Sequence, residues 1–150
     1  KDITTMLKKP EIFKHVVSTM AEKFQGAGVS KVCGIESRGF ILATAMAYRL
    51  KARVVPIRKK GKLPRKTYSA TYALEYGEDT VEAHQDAFKP GTKVILVDDV
   101  LATGGTAAAA CRLLKDLGGS VMGISFLIEF GFLNGKNNLP GQKIHSIVTY

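Results

Sequence analysis

The chain has 150 residues, 45% hydrophobic and 23% charged, and a formal charge of +9 at neutral pH. That length suits one domain burying roughly 70% of the surface its unfolded form exposes, and the composition excludes a disordered or low-complexity protein. No apolar run approaches the roughly 18 to 20 residues needed to cross a bilayer, and the lysine-rich start lacks a signal peptide's apolar stretch and cleavage site, so a cytoplasmic protein without membrane contact is expected.

Asp2 and the Thr4-Thr5 pair offer N-cap chemistry, and Pro10 before "EIFKHVVSTMAEKF" marks a helix start with proline in its first turn. Ile12, Phe13, Val16, Val17, Met20 and Phe24 recur at helical spacing, which predicts one face packed on a core. "GAGVS" ends that helix, "KVCGI" reads as a short strand, and "ESRGFILATAMAYRL" as a loop feeding a second helix. "ARVVPIRK" is a second buried strand, ended by a basic loop from Lys59 to about Thr67. "YSATYALEYG" alternates as a strand does, and pairs with "TVEAH" across a turn at Gly77. "KPGTKVILVDDV" carries the near-continuous apolar run of a parallel strand covered on both faces. "GTAAAACRLLKDLGG" is a helix with a glycine stop, and "VMGISFLIEF" and "KIHSIVTY" supply further strands. Strands alternating with helices predict an α/β fold, a doubly wound, mainly parallel sheet flanked by helices, in a single domain over residues 1–150.

In such sheets ligands sit beyond the carboxyl ends of the strands, which places "DDVLATGGT" and "ESRGF" in one candidate site. Thr103, Gly104, Gly105 and Thr106 lead into a helix start, where bare glycines let backbone N–H groups approach a phosphate and the helix end adds about half a positive charge. The spacing is neither GxxxxGK[ST] nor GxGxxG, so nucleoside triphosphate and dinucleotide readings lose ground. Asp98 and Asp99 would repel that phosphate but can accept hydrogen bonds from sugar hydroxyls, which suggests a ribose beside it. The positive charge favours anionic partners, and it crowds into "RKKGKLPRK", where no aromatic residues are interleaved as a platform for nucleic-acid bases would need. Cys33 and Cys111 have no metal-ligand spacing and read as reduced core residues. His15, His84 and His145 are scattered and match no catalytic constellation.

Four apolar residues, two acids and then "ATGGT" are similar to the phosphoribosyl pyrophosphate signature of the type I phosphoribosyltransferases. "GIESRGF", "IRKKGKLP", "LEYG" and "ATGGT" come in the order and spacing of the branch of that family that takes adenine, and the resemblance runs over nearly the whole chain. It implies transfer of the phosphoribosyl group from phosphoribosyl pyrophosphate to adenine, giving AMP and pyrophosphate with inversion at the anomeric carbon. Ala102, Thr103, Gly104, Gly105 and Thr106 would then hold the 5′-phosphate, and Asp98 and Asp99 the ribose hydroxyls. The loop at Glu36, Ser37 and Arg38 would take the pyrophosphate, with a cis peptide at Glu36-Ser37 and Arg38 as the main side-chain contact, joined by Arg58, Lys59 and Lys62.

The same resemblance makes the stretch from about 60 to 76 a mobile catalytic loop that excludes water, Glu75 a catalytic acid or base near the adenine ring, and Tyr76 a residue of loop closure. Adenine would lie in an apolar slot with Val100, Leu101 and Phe130, with Lys1 as a base-site residue where the family has arginine and with the N-terminal hood over the base incomplete. It further implies Mg2+ held mainly through substrate and water with no direct protein ligand, a homodimer, and no nucleic-acid partner. Two alternatives stay open at this point. One is a phosphoribosyltransferase for another purine base, the other a ligand-sensing transcriptional regulator on the same fold.

Overall fold

The computed structural model describes residues 3–150. A short helix α1 (Thr4–Leu7) precedes α2 (Pro10–Glu22), β1 (Lys31–Ile35), α3 (Arg38–Leu50), β2 (Arg53–Lys59), β3 (Thr67–Ala73) and β4 (Glu78–His84). Then follow β5 (Lys93–Leu101), α4 (Gly105–Asp116), β6 (Ser120–Glu129), two 3-10 turns at Gly131–Leu133 and Gly135–Asn138, and β7 (Ile144–Thr149). Among the described residues seven strands form one sheet in the order β3-β4-β2-β1-β5-β6-β7. β2, β1, β5, β6 and β7 run parallel, while β4 joins β2, and β3 joins β4, antiparallel. The chain winds outward from β1 in one direction to β2 and returns to add β5 on its other side, so the strand order reverses between β1 and β5. A crevice opens at such a reversal, at the carboxyl ends of the two strands.

The doubly wound, mainly parallel sheet expected from the alternation is therefore present, with a core on each face. Val94 and Leu96 of β5 pack with Leu113 and Leu114 of α4, whereas Ile95 and Val97 pack with Leu42 and Met46 of α3 and Met20 of α2. Alternate residues of a strand point to opposite faces, which is why a continuous apolar run marks this central strand. Past the two acids the alternation inverts, Leu101 joining the α4 cluster and Val100 the α3 cluster. The change of face thus falls on Asp98 and Asp99, although the pairing with β6 shifts only between Val94 and Ile95, and the strand continues two residues beyond the acids instead of ending there.

Three local expectations are corrected. Ile12 is 44% exposed, because it lies on the flank of α2 away from the stripe that Val16, Val17 and Met20 bury. β2 is not buried along its length: Arg53 and Val54 are exposed while Val55 and Ile57 are buried, since only one face of this strand meets the α4 core. The N-cap position of α1 falls to Ile3, which offers no side-chain cap; Asp2 lies outside the described residues.

Candidate active site

Ala102, Thr103 and Gly104 carry the chain from β5 into α4, and Gly104 has a φ of +86°, which a side chain would disfavour. No side chain caps α4 and no acid sits in its first turn, so the amides that a helix leaves unpaired at its start are available to an anion. A cavity of about 90 Å³ lies there, lined by Asp98, Val100 and the residues from Leu101 to Ala107. The 3-10 turns after β6 support this loop from behind. A Cβ on Gly104 would collide with the Gly135 carbonyl, one on Gly135 with the Ala102 carbonyl, and the Asn138 amide donates to the Thr103 carbonyl at 2.6 Å.

Asp99 is 5% exposed and Asp98 half-buried. Asp98 Oδ1 accepts the Asp99 backbone N–H at 2.9 Å. Burial pushes the Asp98 carboxyl well above the usual carboxylate range, and the neighbouring Asp99 charge adds to this. Arg38, at the start of α3, brings its Nε to 2.7 Å from Asp99 Oδ2 without hydrogen-bond alignment, and that buried oxygen has no hydrogen-bond donor among the described residues. Gly39 makes the approach possible, since a Cβ there would stand 2.9 Å from Asp98 Oδ1 and 3.1 Å from the Val97 carbonyl.

The Glu36-Ser37 peptide is cis. The Glu36 carboxylate accepts from the Lys59 backbone N–H, meets Lys62 Nζ at 2.6 Å, and lies 3.6 Å from Arg58 Nε. Burial opposes ionisation of this carboxyl, but the bonds from Lys62 and Lys59 outweigh it and hold Glu36 below the usual range. Lys59 turns its ammonium elsewhere, to Asp79 at 2.5 Å and to the Tyr72 hydroxyl at 2.7 Å. The structure therefore gathers Glu36, Arg58, Lys59 and Lys62 around the β1-α3 loop, with acids as their partners.

The segment from 60 to 76 is a loop only at its ends. Its second half is β3, so β3 and β4 form a hairpin whose tip, Leu74 to Gly77, is closed by Leu74 N–H donating to Gly77 O at 2.9 Å. Glu75 on this tip is exposed, and Tyr76 is 88% exposed. Glu75, Tyr72, Arg112 and Asn138 share with Thr103, Gly105 and Thr106 the walls of a cleft of about 760 Å³, so the hairpin tip and the loop before α4 face one space. Arg112 of α4 donates to the Thr71 carbonyl at 3.0 Å and ties the hairpin to that helix.

Of the residues expected at the base, Val100 and Phe130 are half-buried side by side in the α3-side cluster, and Phe130 packs on Phe132 with ring centroids 5.8 Å apart. Leu101 is 1% exposed, its side chain in the α4-side core. Lys1 lies outside the described residues. His15, His84 and His145 stay out of the site; His145 stands edge-on to Phe24 at 5.5 Å, and burial, then Lys23 and Lys143, push it below the usual histidine value. Sequence reading missed Tyr72, Asp79, Arg112, Gly135 and Asn138. Only Gly135, in an Asn-Gly turn pair, carried any local signal, and it pointed to a turn and not to a site.

The chain matches the phosphoribosyl transferase domain family over residues 2–143. It is 52% identical over 150 residues to the adenine phosphoribosyltransferase of Symbiobacterium thermophilum, covering 100% of this chain and 88% of that protein. It is 51% identical over 148 residues to the adenine phosphoribosyltransferase of Acidothermus cellulolyticus, covering 99% and 84% of the two chains. The crystal structure of the adenine phosphoribosyltransferase from Rhodothermus marinus superposes with a TM-score of 0.97 at 48% identity, covering 100% of this chain and 86% of that one. The Saccharomyces cerevisiae adenine phosphoribosyltransferase, crystallised with adenine and an imino-altritol bisphosphate, gives a TM-score of 0.92 at 35% identity over 97% of this chain and 85% of its own.

Proposed function

Because the chain belongs to the phosphoribosyl transferase domain family, we propose that it acts as an adenine phosphoribosyltransferase, converting adenine and phosphoribosyl pyrophosphate to AMP and pyrophosphate. One observation carries this reading. Asp98, one of two adjacent acids on β5, lines a small cavity at the uncapped start of α4, six residues after Asp99, and Thr103, Gly105 and Thr106 of that cavity also wall the cleft reached by the Glu75 hairpin tip, at the point where the strand order reverses.

In this reading the Thr103 to Thr106 backbone holds the 5′-phosphate, Asp98 and Asp99 accept from the ribose hydroxyls, and Arg38, Arg58, Lys59 and Lys62 receive the pyrophosphate. Departure of pyrophosphate leaves oxocarbenium character on the ribose, so cations fixed around the leaving group lower the barrier, and holding the base in line raises the rate further. Glu75 holds or moves a proton at the base, and Tyr76 helps the hairpin tip shield the reaction from water. Val100 and Phe130 offer an apolar wall to the adenine ring.

Mg2+ fits the same place. Asp98 and Asp99, the Asp99 Oδ2 lacking an aligned donor and charge-paired with Arg38 at 2.7 Å, would face the waters of a hard cation held mainly through the substrate's own oxygens. When bound, the ion neutralises charge on the pyrophosphate. No group of three or more metal-binding side chains occurs among the described residues. No helix of the described chain is long and apolar enough to cross a membrane, and a cytoplasmic location is part of the proposal. So is a homodimer. The surface available for it is an apolar groove of about 900 Å³ between α2 and α3, with Phe40, Ile41 and Tyr48 on its walls and Tyr48 90% exposed.

Initial rates with adenine, phosphoribosyl pyrophosphate and Mg2+, compared with hypoxanthine, guanine and xanthine, test the reading. AMP formation from adenine in preference to the other bases is expected. Turnover of another base with none from adenine would replace the substrate, and sequence-selective DNA binding without any pyrophosphate release would replace the activity.

A further inference from the structure

We propose that Asp79 is a positioning residue that competes with pyrophosphate for the Lys59 ammonium and so sets how firmly that group is held. The proposal rests on the reading above that Lys59 meets pyrophosphate.

Lys59 Nζ is 2.5 Å from Asp79 Oδ2 and 2.7 Å from the Tyr72 hydroxyl, and that hydroxyl lies 3.3 Å from the same Asp79 oxygen. The three groups close on one another. Tyr72 and Asp79 are directly opposite in the β3-β4 register, four positions or fewer from Glu75, so both belong to the hairpin whose tip carries that residue, while Lys59 ends the neighbouring strand β2. Arg58 and Lys62 lean on Glu36 of the β1-α3 loop instead. Lys59 is thus the cation that the hairpin itself holds.

Burial works against the charge on Lys59, yet the hydrogen bonds to Asp79 and then to Tyr72 push its pKa up. The Lys59 bond holds Asp79 below the usual carboxylate range. The pair is therefore fully ionised at neutral pH. An ammonium that gives its shortest contact to a carboxylate cannot give the same charge to a phosphate oxygen without stretching or leaving that contact, and a carboxylate kept nearby repels the incoming anion. Tyr72 cannot follow Lys59 outward, because its buried ring rests 3.7 Å from where a Cβ of Gly105 would stand, against the phosphate loop. Pyrophosphate that takes Lys59 thereby loosens one tie of the Glu75 hairpin, and pyrophosphate that leaves lets Asp79 recapture it.

Both partners are about one-third exposed, which limits the effect to that of a partly solvated ion pair, about two- to fivefold in affinity. Calorimetric titration of pyrophosphate with Mg2+, and separately of AMP, into the wild type, Asp79→Asn, Asp79→Glu, Lys59→Met and the Asp79→Asn/Lys59→Met double variant tests this. Asp79→Asn is expected to bind pyrophosphate about two- to fivefold more tightly with AMP affinity unchanged. Asp79→Glu should restore the wild-type value, and Asp79→Asn should add nothing once Lys59 is gone. Tyr72→Phe removes the other internal acceptor of Lys59 and keeps the ring on Gly105; it is expected to shift pyrophosphate affinity the same way and keeps the test alive if Asp79→Asn does not fold. Unchanged or weaker pyrophosphate binding in Asp79→Asn, or equal tightening without Lys59, overturns the proposal while leaving the site reading intact. Equal pyrophosphate affinity in wild type and Lys59→Met removes the premise, and the proposal with it.

Discussion

Arg38 Nε stands 2.7 Å from Asp99 Oδ2, so a cation expected at the pyrophosphate and an acid expected at the ribose face each other across the crevice between β1 and β5. In the proposed reading substrate would part them, and each has something to give it: Arg38 a guanidinium fork that is half exposed, Asp99 a buried oxygen with no aligned hydrogen-bond donor. Asp99→Asn should therefore raise the KM for phosphoribosyl pyrophosphate by about tenfold or more, the scale of a lost hydrogen bond to a charged group. Steady-state kinetics at saturating adenine check it, and an unchanged KM would remove Asp99 from the ribose.

Glu75 shares the cleft with Thr103 and Thr106 but makes no contact that holds the fold. Its removal should act on the chemistry alone. Glu75→Ala is expected to lower kcat about 100-fold or more while changing the KM for phosphoribosyl pyrophosphate little, the signature of a lost acid or base. A thermal melt of the variant should coincide with the wild type. A rise in KM with kcat preserved would move Glu75 from the chemistry to binding.

Asp98 gives a pH prediction of definite sign. Its carboxyl is pushed up on folding, so between the unfolded value near 3.8 and the higher folded value the native state binds more protons than the unfolded one. Stability contributed by this group is then fully present below the unfolded value and is lost as pH rises through the folded one. Asp98→Asn, which needs no proton, should raise the Tm of the substrate-free protein more at pH 8 than at pH 5. Calorimetric scans at both values test it, and an equal or larger gain at pH 5 would contradict the assignment. Glu36 and Asp79 are pushed down and act in the opposite sense, their stabilisation fading as pH falls below the usual carboxylate range.

Gly135 has no room for a methyl group, because the Ala102 carbonyl fills the place and the Leu101 side chain stands 3.0 Å away. Gly135→Ala must displace the phosphate loop or the turn behind it, at a cost of about 1–3 kcal/mol. Denaturant unfolding should show that loss, and AMP binding should weaken with it. Gly141→Ala serves as a control in open space, although its φ of +76° makes it mildly strained.

Neither thiol should be reactive in the native protein. Burial pushes Cys33 far above the usual thiol range and Cys111 up to about 11. Titration with a thiol-reactive dye at pH 8 should label neither until denaturant is added. Labelling of Cys111 at the rate of a free thiol would show that α4 opens.

How much of this was legible in the chain varies with the range of the interaction concerned. Strand β5 and its acids stood out because a buried parallel strand is apolar on both faces, and the loop after it because glycines and threonines before an alanine helix are a local pattern. Glu36, Ser37 and Arg38 were placed near the site by their position after a strand, and Arg58, Lys59 and Lys62 stood out as crowded charge, but the roles of these residues and of Glu75 and Tyr76 were legible only through resemblance, since "LEYG" by itself does not distinguish a site from a surface turn. The hairpin was readable in outline from the alternation in "YSATYALEYG", while the resemblance made the stretch from about 60 to 76 a mobile loop; the ladder with β4 that orders its second half joins residues 5 to 17 positions apart, a register that alternation alone does not set.

The sequence by itself determined the α/β alternation, the switch from strand to helix at Ala102 to Thr106, and the placing of two acids before it, because each depends on propensities and spacing within a few residues. Only the tertiary structure decided that burial pushes the Asp98 carboxyl up, that Leu101 turns into the core, that Lys59 is held by Tyr72 and Asp79, and that Gly135 and Asn138 brace the loop before α4. Those relations join residues 13 to 35 positions apart or turn on which face of a strand a side chain takes. Period and composition do not record such choices; they are made when the sheet closes its register and two helices compete for its faces.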